Sequence, residues 1–403
     1  MTKAVIIGAG IAGPALGVAL RRIGMEVEIF EQLPADADQR GSWLNFQANG
    51  LDALRAIDAG SWVGKLGYPV DTMSFVNGKG RVLGELPMAF RRPDGLTSRM
   101  MPRAGLFTAM TDMAVHHGIA VHHNKRLLDA RNTGTGVVAR FEDGTEATGD
   151  ILIGCDGIHS RIRKIIDPGA MAPRYVPVLN TGGYIPDFTV DVPPKDFRMQ
   201  FGTKCFFAWM PTGDGGTIWF ANPPMAKEPP RGVLSAMSDA QWRQWLHELM
   251  DGDVGPASDI IDAAPGPIMG WATYDMPVVK RWHDSSRMIV IGDAAHATSP
   301  AAGQGASMSL EDAVTLAQCL RDCPDTASAF ATYESLRRER VERIVANGHK
   351  SSADKAAGPF MRVIRDLILP FTFRAGAKDG GQSMMWLQGH HIDFDERLTP
   401  ATA

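Results

Sequence analysis

Cysteine is scarce and unpaired. There are four in 403 residues (Cys155, Cys205, Cys319 and Cys323), with no C-x-x-C and no paired metal-ligand spacing. That excludes a disulfide scaffold. Together with an N-terminus, MTKAVIIGAG, that lacks the layout of a secretory signal, it points to a reduced, cytoplasmic setting. No apolar run of about 18 residues or more occurs, so a spanning helix and a membrane partner are not expected. Neither sign of charge dominates: 41 Lys and Arg against 45 Asp and Glu leave −4, which excludes a strong nucleic-acid footprint. Internal repeats, low-complexity linkers and a G-x-S-x-G nucleophile turn are all missing. The His pairs 116–117, 122–123 and 390–391 are sequence neighbours whose side chains point apart, so no metal site is expected. What remains is ordinary globular composition, 44% hydrophobic and 21% charged, over a length of two to three domains.

The opening reads strand, tight turn, helix, strand. Ala4–Ile7 is a continuous apolar run, Ala15–Ile23 has helical periodicity and ends in Arg21, Arg22 and Gly24, and Val27–Phe30 is a second strand. The stretch from Tyr68 to Ser98 reads as short and irregular. Ala104–His117 reads as helix, and Val137–Phe141 with Ala147–Thr148 as a hairpin about Asp143-Gly144. Ile151–Ile153 is another buried strand. From about Val178 to Pro265 the texture changes to short alternating runs (Gly183–Pro186, Phe197–Phe201, Cys205–Met210, Thr217–Ala221) with a helix at Asp239–Met250. The first pattern returns at Met288–Ile291, followed by helices over Ser307–Cys319 and Ala327–Gly348. The tail holds an amphipathic stretch, Phe360–Leu369.

Gly8-x-Gly10-x-x-Gly13 follows a strand, opens a helix and is followed by Glu31 at the end of the next strand. Gly8 permits the turn, Gly10 leaves room for a pyrophosphate, Gly13 lets helix and strand pack, and Glu31 accepts from ribose hydroxyls. This pattern does not separate NAD from FAD. A second segment, IGDAAHATSPAAGQGASMSLEDA, begins at Ile291.

That second segment resembles the second flavin motif of the class A FAD-dependent monooxygenases, the aromatic-hydroxylase family. Gly154-Cys155-Asp156-Gly157 through Arg163 resembles the family's middle motif, and Arg103 matches an arginine that opens one of its helices. The resemblance implies an α/β fold: a Rossmann-type, glutathione-reductase-like FAD-binding domain, an antiparallel β-sheet substrate domain and a C-terminal helix. The expected division is 1–70, 98–177 and 266–350 for FAD, 71–97 and 178–265 for substrate, and 351–403 as bracing helix and flap, without room for a thioredoxin-like domain. The cofactor contacts it implies are Gly8, Gly10, Ile11, Ala12, Gly13, Glu31, Arg40, Asn45, Arg103, Asp156, Gly292, Asp293, Pro300, Gly303, Gln304, Gly305 and Ala306. For Asp156 a helix-capping role stays open, and His296 reads as structural.

The family's chemistry is carried by flavin, so no catalytic side chain is assigned. The protein must bind FAD, accept NADPH or NADH, admit O2 and hold substrate. Tyr184, Phe206, Ala208, Trp219 and Pro300 are the expected substrate contacts. Alternation places Phe206 and Ala208 on one face of their strand, and Phe207 and Trp209 on the other. Phe206 and Trp219 stand where relatives with polar substrates carry Arg or Tyr, so an apolar or aromatic small molecule without a carboxylate is expected, in secondary metabolism. Hydroxylation is the leading reaction. Epoxidation, Baeyer–Villiger insertion and a reductase or dehydrogenase on the same fold remain alternatives, on a monomer or homodimer.

Overall fold

The run Lys3–Ile7 is buried from Ala4 onward, and it lies at the centre of a five-stranded parallel sheet. The order across that sheet is Met288–Val290, Ile151–Gly154, Lys3–Ile7, Glu26–Phe30, Ala120–His122. Such a sheet buries both faces, which is why its strands are apolar throughout rather than alternating. The computed structural model describes residues 1–35, 43–87, 92, 94–355, 364, 366–373 and 385–398. The first helix runs Ala12–Arg22 and stops at Gly24, whose φ of +83° ends it. Three antiparallel strands, Leu127–Asn132, Val137–Phe141 and Glu146–Gly149, form a side sheet on this unit.

A second layer is a seven-stranded sheet in the order Gly270–Asp275, Arg174–Ile185, Thr217–Asn222, Phe206–Pro211, Asp196–Phe201, Thr72–Asn77, Val82–Pro87. All its pairings are antiparallel except that of Asp196–Phe201 with Thr72–Asn77. The Tyr68–Ser98 stretch is therefore not irregular: it supplies the edge hairpin of this sheet. Thr72–Asn77 finds its second partner, Asp196–Phe201, far away in the chain, so local periodicity carries little of the signal.

The two faces of the sheet differ. Helix Asp239–Met250, started by a Ser238–Gln241 capping box, covers one face together with Ala257–Ala263. The other face looks onto a small sheet of Trp43–Phe46, Arg99–Pro102 and Tyr68–Pro69. That small sheet is the layer between the two cores. Met101 faces the parallel-sheet core, and its neighbour Met100 faces the seven-stranded sheet.

Helix Gly305–Asp322 is buried from Ser307 to Cys319 and therefore carries two carboxylates into the interior. Glu311 and Asp312 are 0% exposed. Arg337, on the helix Thr326–Lys355, bonds both, at 2.7 Å to each. Arg340 adds two hydrogen bonds to Glu311, at 2.8 and 2.9 Å. Against the opposing effect of burial, Arg337 and Arg340 hold the Glu311 carboxyl down at about 2, and His296 and Arg337 hold Asp312 well below its ordinary range.

The C-terminal residues return across this unit. Residues 366–373 are helical. Phe373 stacks on Phe75 at 4.4 Å, and Asn77 donates to Asp366 at 3.0 Å. Residues 385–398 form a strap whose main-chain carbonyls accept from Arg92, Gln318, Arg321 and Arg340. Among the described residues, no helix is long and apolar enough to cross a membrane.

Arg337→Met leaves Glu311 and Asp312 buried without their shared partner. Urea unfolding is expected to register a loss of about 3–5 kcal/mol. A loss under about 1 kcal/mol would show that the ion cluster does not hold the central helix.

Candidate functional site

Three glycine-bearing turns meet at the ends of the parallel strands. Gly8 has a φ of +107°, and a Cβ there would lie 2.3 Å from the Cys155 carbonyl oxygen. A Cβ on Gly13 would lie 2.0 Å from the Gly8 oxygen. Both positions are closed to a side chain by backbone. Gly10 is different: its Cβ would meet only the Phe107 ring, at 3.2 Å, so the space beyond it is free for a ligand. Gly292, with φ of +60°, lies against Ser309 and Ala12, which brings the second flavin-like turn onto the start of the first helix. Arg163 ties the middle turn to the second one by donating to the carbonyls of Ile158 and Ala294, both at 2.7 Å.

Two helices begin here, Ala12–Arg22 and Gly305–Asp322, and neither start is capped by a side chain. Uncapped N–H groups and the positive end of the dipole make each a place for an anionic or carbonyl ligand. Ile11 and Ala12 lie at the first start, Gln304, Gly305 and Ala306 at the second. Arg103 opens the helix Arg103–His116, rests over the Phe107 ring at 5.2 Å and is exposed. Its charge, with that of His296, pulls Asp293 down, while crowding by the surrounding protein raises that carboxyl above its ordinary value. Asp293 is nevertheless exposed, and its carboxylate accepts no hydrogen bond among the described residues. Glu31 accepts from the Ala9 N–H at 2.8 Å and the Leu33 N–H at 2.9 Å; each of its oxygens retains a lone pair for a hydroxyl. Gly303 is left-handed, with φ of +61°, beside the Gln47 amide, and Pro300 is exposed at the start of a 3-10 turn. Asn45 has a buried side-chain oxygen with no partner among the described residues. These features fit a dinucleotide lying from the Gly8–Gly13 turn to the Gly303–Ala306 turn. Arg40 lies outside the described residues.

Two expected contacts are placed otherwise. The Asp156 carboxylate accepts from Ser160 Oγ at 2.5 Å and from the N–H groups of Arg161 at 2.7 Å and Ile162 at 3.1 Å. It thus supports the start of the helix Arg161–Ile166, whose N-cap is Ser160, and this is the capping role that the sequence left open for it. Trp219 is a correction. The register pairs Ala208 with Phe220, Met210 with Ile218 and Trp209 with Trp219. Trp219 therefore faces the helix-covered side, where it stacks on Phe207 at 5.6 Å beside Trp242 and Leu246. Phe220 is the residue that shares a face with Phe206 and Ala208. His296 is buried with Nε2 2.5 Å from Asp312, in contact with the Trp282 ring.

The open face of the seven-stranded sheet is apolar. Phe197, Phe206, Ala208, Met210 and Ile218 are buried there, with Met199, Phe201, Phe220 and Tyr184 beside them, opposite Trp43, Tyr68, Val70 and Met100. Among these residues there is no Arg, Lys or His. Trp43 lies between the rings of Tyr68, at 5.9 Å, and Tyr184, at 5.6 Å. Asp214, on the hairpin between two sheet strands, accepts from the Tyr68 hydroxyl at 2.5 Å and the Tyr184 hydroxyl at 3.4 Å, and from Thr212. The hydroxyls of Thr212 and Tyr68 hold Asp214 at about 2, and burial raises Tyr68. Sequence reading missed Gln47, Asn49, Arg163 and Asp214; each acts through a partner distant in the chain.

Comparison with known proteins agrees with this geometry. A family model described as "FAD binding domain" matches residues 1–348. The aurachin C monooxygenase/isomerase of Stigmatella aurantiaca is 29% identical over 349 residues, 86% of this chain and 87% of that protein. The 3-hydroxybenzoate 6-hydroxylase of Klebsiella oxytoca is 28% identical over 388 residues, 91% and 92% of the two chains. Among solved structures, Klebsiella pneumoniae HpxO complexed with FAD and uric acid superposes with a TM-score of 0.83 at 25% identity, covering 94% of this chain and 95% of that one.

Gly10→Ala is expected to leave the apo-protein's Tm nearly unchanged, since only a ring edge must give, while raising the Kd for FAD more than about tenfold (1.4 kcal/mol). Flavin fluorescence titration checks this; unaltered FAD binding would remove the diphosphate from the Gly10 turn. Asp214 has a folded-state pKa below its unfolded value. Its contribution to stability is present in full above about pH 4 and lost as pH falls through about 2. The Tm gap between wild type and Asp214→Asn should therefore close on acidification from pH 5 to pH 2; a constant gap is the contrary result.

Proposed function

The chain belongs to the FAD-binding-domain family and is an FAD-dependent monooxygenase, and on that premise we propose that it uses NADPH or NADH and O2 to place one oxygen atom on a neutral, apolar aromatic or polycyclic small molecule. Hydroxylation in secondary metabolism is the reaction we assign. The observation that carries the substrate class is the sheet face turned to the small sheet: a wall of Phe, Met, Ile and Ala, on which the strand registers place no Arg, Lys or His among the described residues. A relative acting on aurachin C is in keeping with it.

When bound, FAD supplies the redox and oxygen chemistry. The protein's own groups supply binding, orientation and dryness. In this reading the N–H groups at Ile11–Gly13 and the guanidinium of Arg103 hold the diphosphate, while Glu31 and Asp293 accept from hydroxyls along the dinucleotide. The N–H groups of Gly305 and Ala306 face the pyrimidine edge and take up negative charge there. Phe206, Ala208 and Phe220 form the wall that excludes water and presents the substrate's flat face, and Pro300, in the turn before Gly303, is the further substrate contact we assign. Tyr184 and Tyr68, joined through Asp214, are the polar groups at the rim.

Oxygen uptake and NAD(P)H oxidation, followed with FAD bound, test the reading. Neutral bicyclic and tricyclic aromatics should stimulate both in a one-to-one ratio, and benzoates should not. Phe206→Ala should raise KM about tenfold with little change in kcat, because it removes wall contacts common to ground and transition states. Product formation at full rate without O2 would assign the chain to the reductases of this fold instead. Ring-expanded or epoxidised product would assign it to the other oxygen-inserting reactions.

A further inference from the structure

Segment 47–50 lies along segment 303–307 residue by residue. The Gln47 amide nitrogen would be 3.3 Å from a Cβ on Gly303, and a Cβ on Gly50 would be 2.6 Å from Ser307 Oγ and 3.0 Å from its Cα. Between these contacts lies Asn49, 0% exposed. Its Nδ2 donates to Gln304 Oε1 at 2.9 Å and to Glu311 Oε1 at 2.6 Å. One buried amide thus joins the side chain at the helix start to the carboxylate two turns along the same helix.

That carboxylate cannot give way. Arg337 and Arg340 hold both its oxygens, and Arg340 also donates to the carbonyls of Trp386 and Leu387 in the strap. His390, at 4.0 Å, is kept neutral by burial, which pushes it down to about 4. The Gln304 side chain has less freedom than an ordinary surface glutamine: it is 1% exposed, its oxygen is taken by Asn49, and its Nε2 has no partner among the described residues. The φ of Gln304 is −119° and Gly303 is left-handed; the Gln304 carbonyl accepts the first helical bond, from the Met308 N–H at 2.8 Å, and its side chain is held by Asn49.

We propose that Asn49 is a positioning residue for FAD: anchored on Glu311, it fixes Gln304 and so aims the N–H groups of Gly305 and Ala306 at the cofactor. This rests on the assignment of the Gly303–Ala306 turn to the flavin end of the dinucleotide. Asn49 touches no ligand in this account. Its effect passes through Gln304, so removing either residue removes the same support.

A double-mutant cycle in the full chain tests this. Apo-proteins of wild type, Asn49→Ala, Gln304→Ala and the double variant are titrated with FAD by fluorescence quenching, and the visible spectrum of bound FAD and the apo Tm are recorded. Each single variant should weaken FAD binding about tenfold, and the double should be no more than about threefold worse than the weaker single. Asn49→Ala should also shift the flavin band, which a purely structural role would not do. Penalties that multiply to about a hundredfold, or wild-type affinity and spectrum in Asn49→Ala, overturn the proposal. If Asn49→Ala does not fold, Asn49→Ser, whose hydroxyl cannot span both acceptors, carries the same expectation and the same contrary result. Failure of wild type itself to bind FAD would instead refute the cofactor assignment.

Discussion

Backbone meeting backbone at Gly8 is the constraint on which the rest of the molecule depends. A turn that passes under 2.5 Å from where a Cβ would sit cannot be built with any other residue, and it brings the Cys155 carbonyl, the Gly13 helix start and the Gly292 turn into one place. Chain segments some 150 and 290 residues downstream are thereby registered against the first strand. The parallel sheet places those turns at the same end of its strands, where α/β folds put their ligands. Arg163 then secures the arrangement with two short hydrogen bonds to turn carbonyls, in a buried setting where such bonds are hard to replace.

The seven-stranded sheet shows how one register decides function. Phe207, Trp209 and Trp219 point into a core closed by helices, and there they build stability. Phe206, Ala208, Met210 and Phe220, one residue away in each strand, point at the small sheet that separates the two cores. A shift of a single residue would exchange a greasy wall for a hydrophobic core that has lost its face. The tryptophans are large enough to anchor the sheet on its helices, which leaves the opposite face free to be specialised.

Much of this was legible in the chain itself. Glycine turns after apolar strands are local patterns, and Gly8, Gly10, Gly13, Gly292 and Gly303 lie where those patterns imply. Alternation also put Phe206 and Ala208 on a common face. What periodicity within a strand does not contain is its offset against the neighbouring strand, and so Trp219 was matched with the wrong side. The hairpin of Thr72–Asn77 and Val82–Pro87 was read as irregular for a related reason: its partner strand lies far along the chain. Asp156 carries the same letters whether it caps a helix or binds a ligand, and only the hydrogen bonds to Ser160, Arg161 and Ile162 separate the two. No role was assigned to Asn49 or Gln47, although the stretch around them resembles the family's, because their meaning comes from Gln304 and Gly303 at the start of another helix.

The strap at residues 385–398 is held in two ways. Arginine and glutamine side chains of the body reach for the carbonyls of Trp386, Leu387, His390, Asp393, Phe394 and Glu396. Every residue type offers the same carbonyl, so these contacts would outlast a change of lettering. The other contacts belong to particular side chains: His391 lies 2.9 Å from Asp52, Arg397 donates to Asp322 at 3.0 Å, and the Phe394 ring, 3% exposed, lies under Arg22 and Arg321. The tail is thus free to drift in composition between those three positions, and they fix where along the body it is pinned.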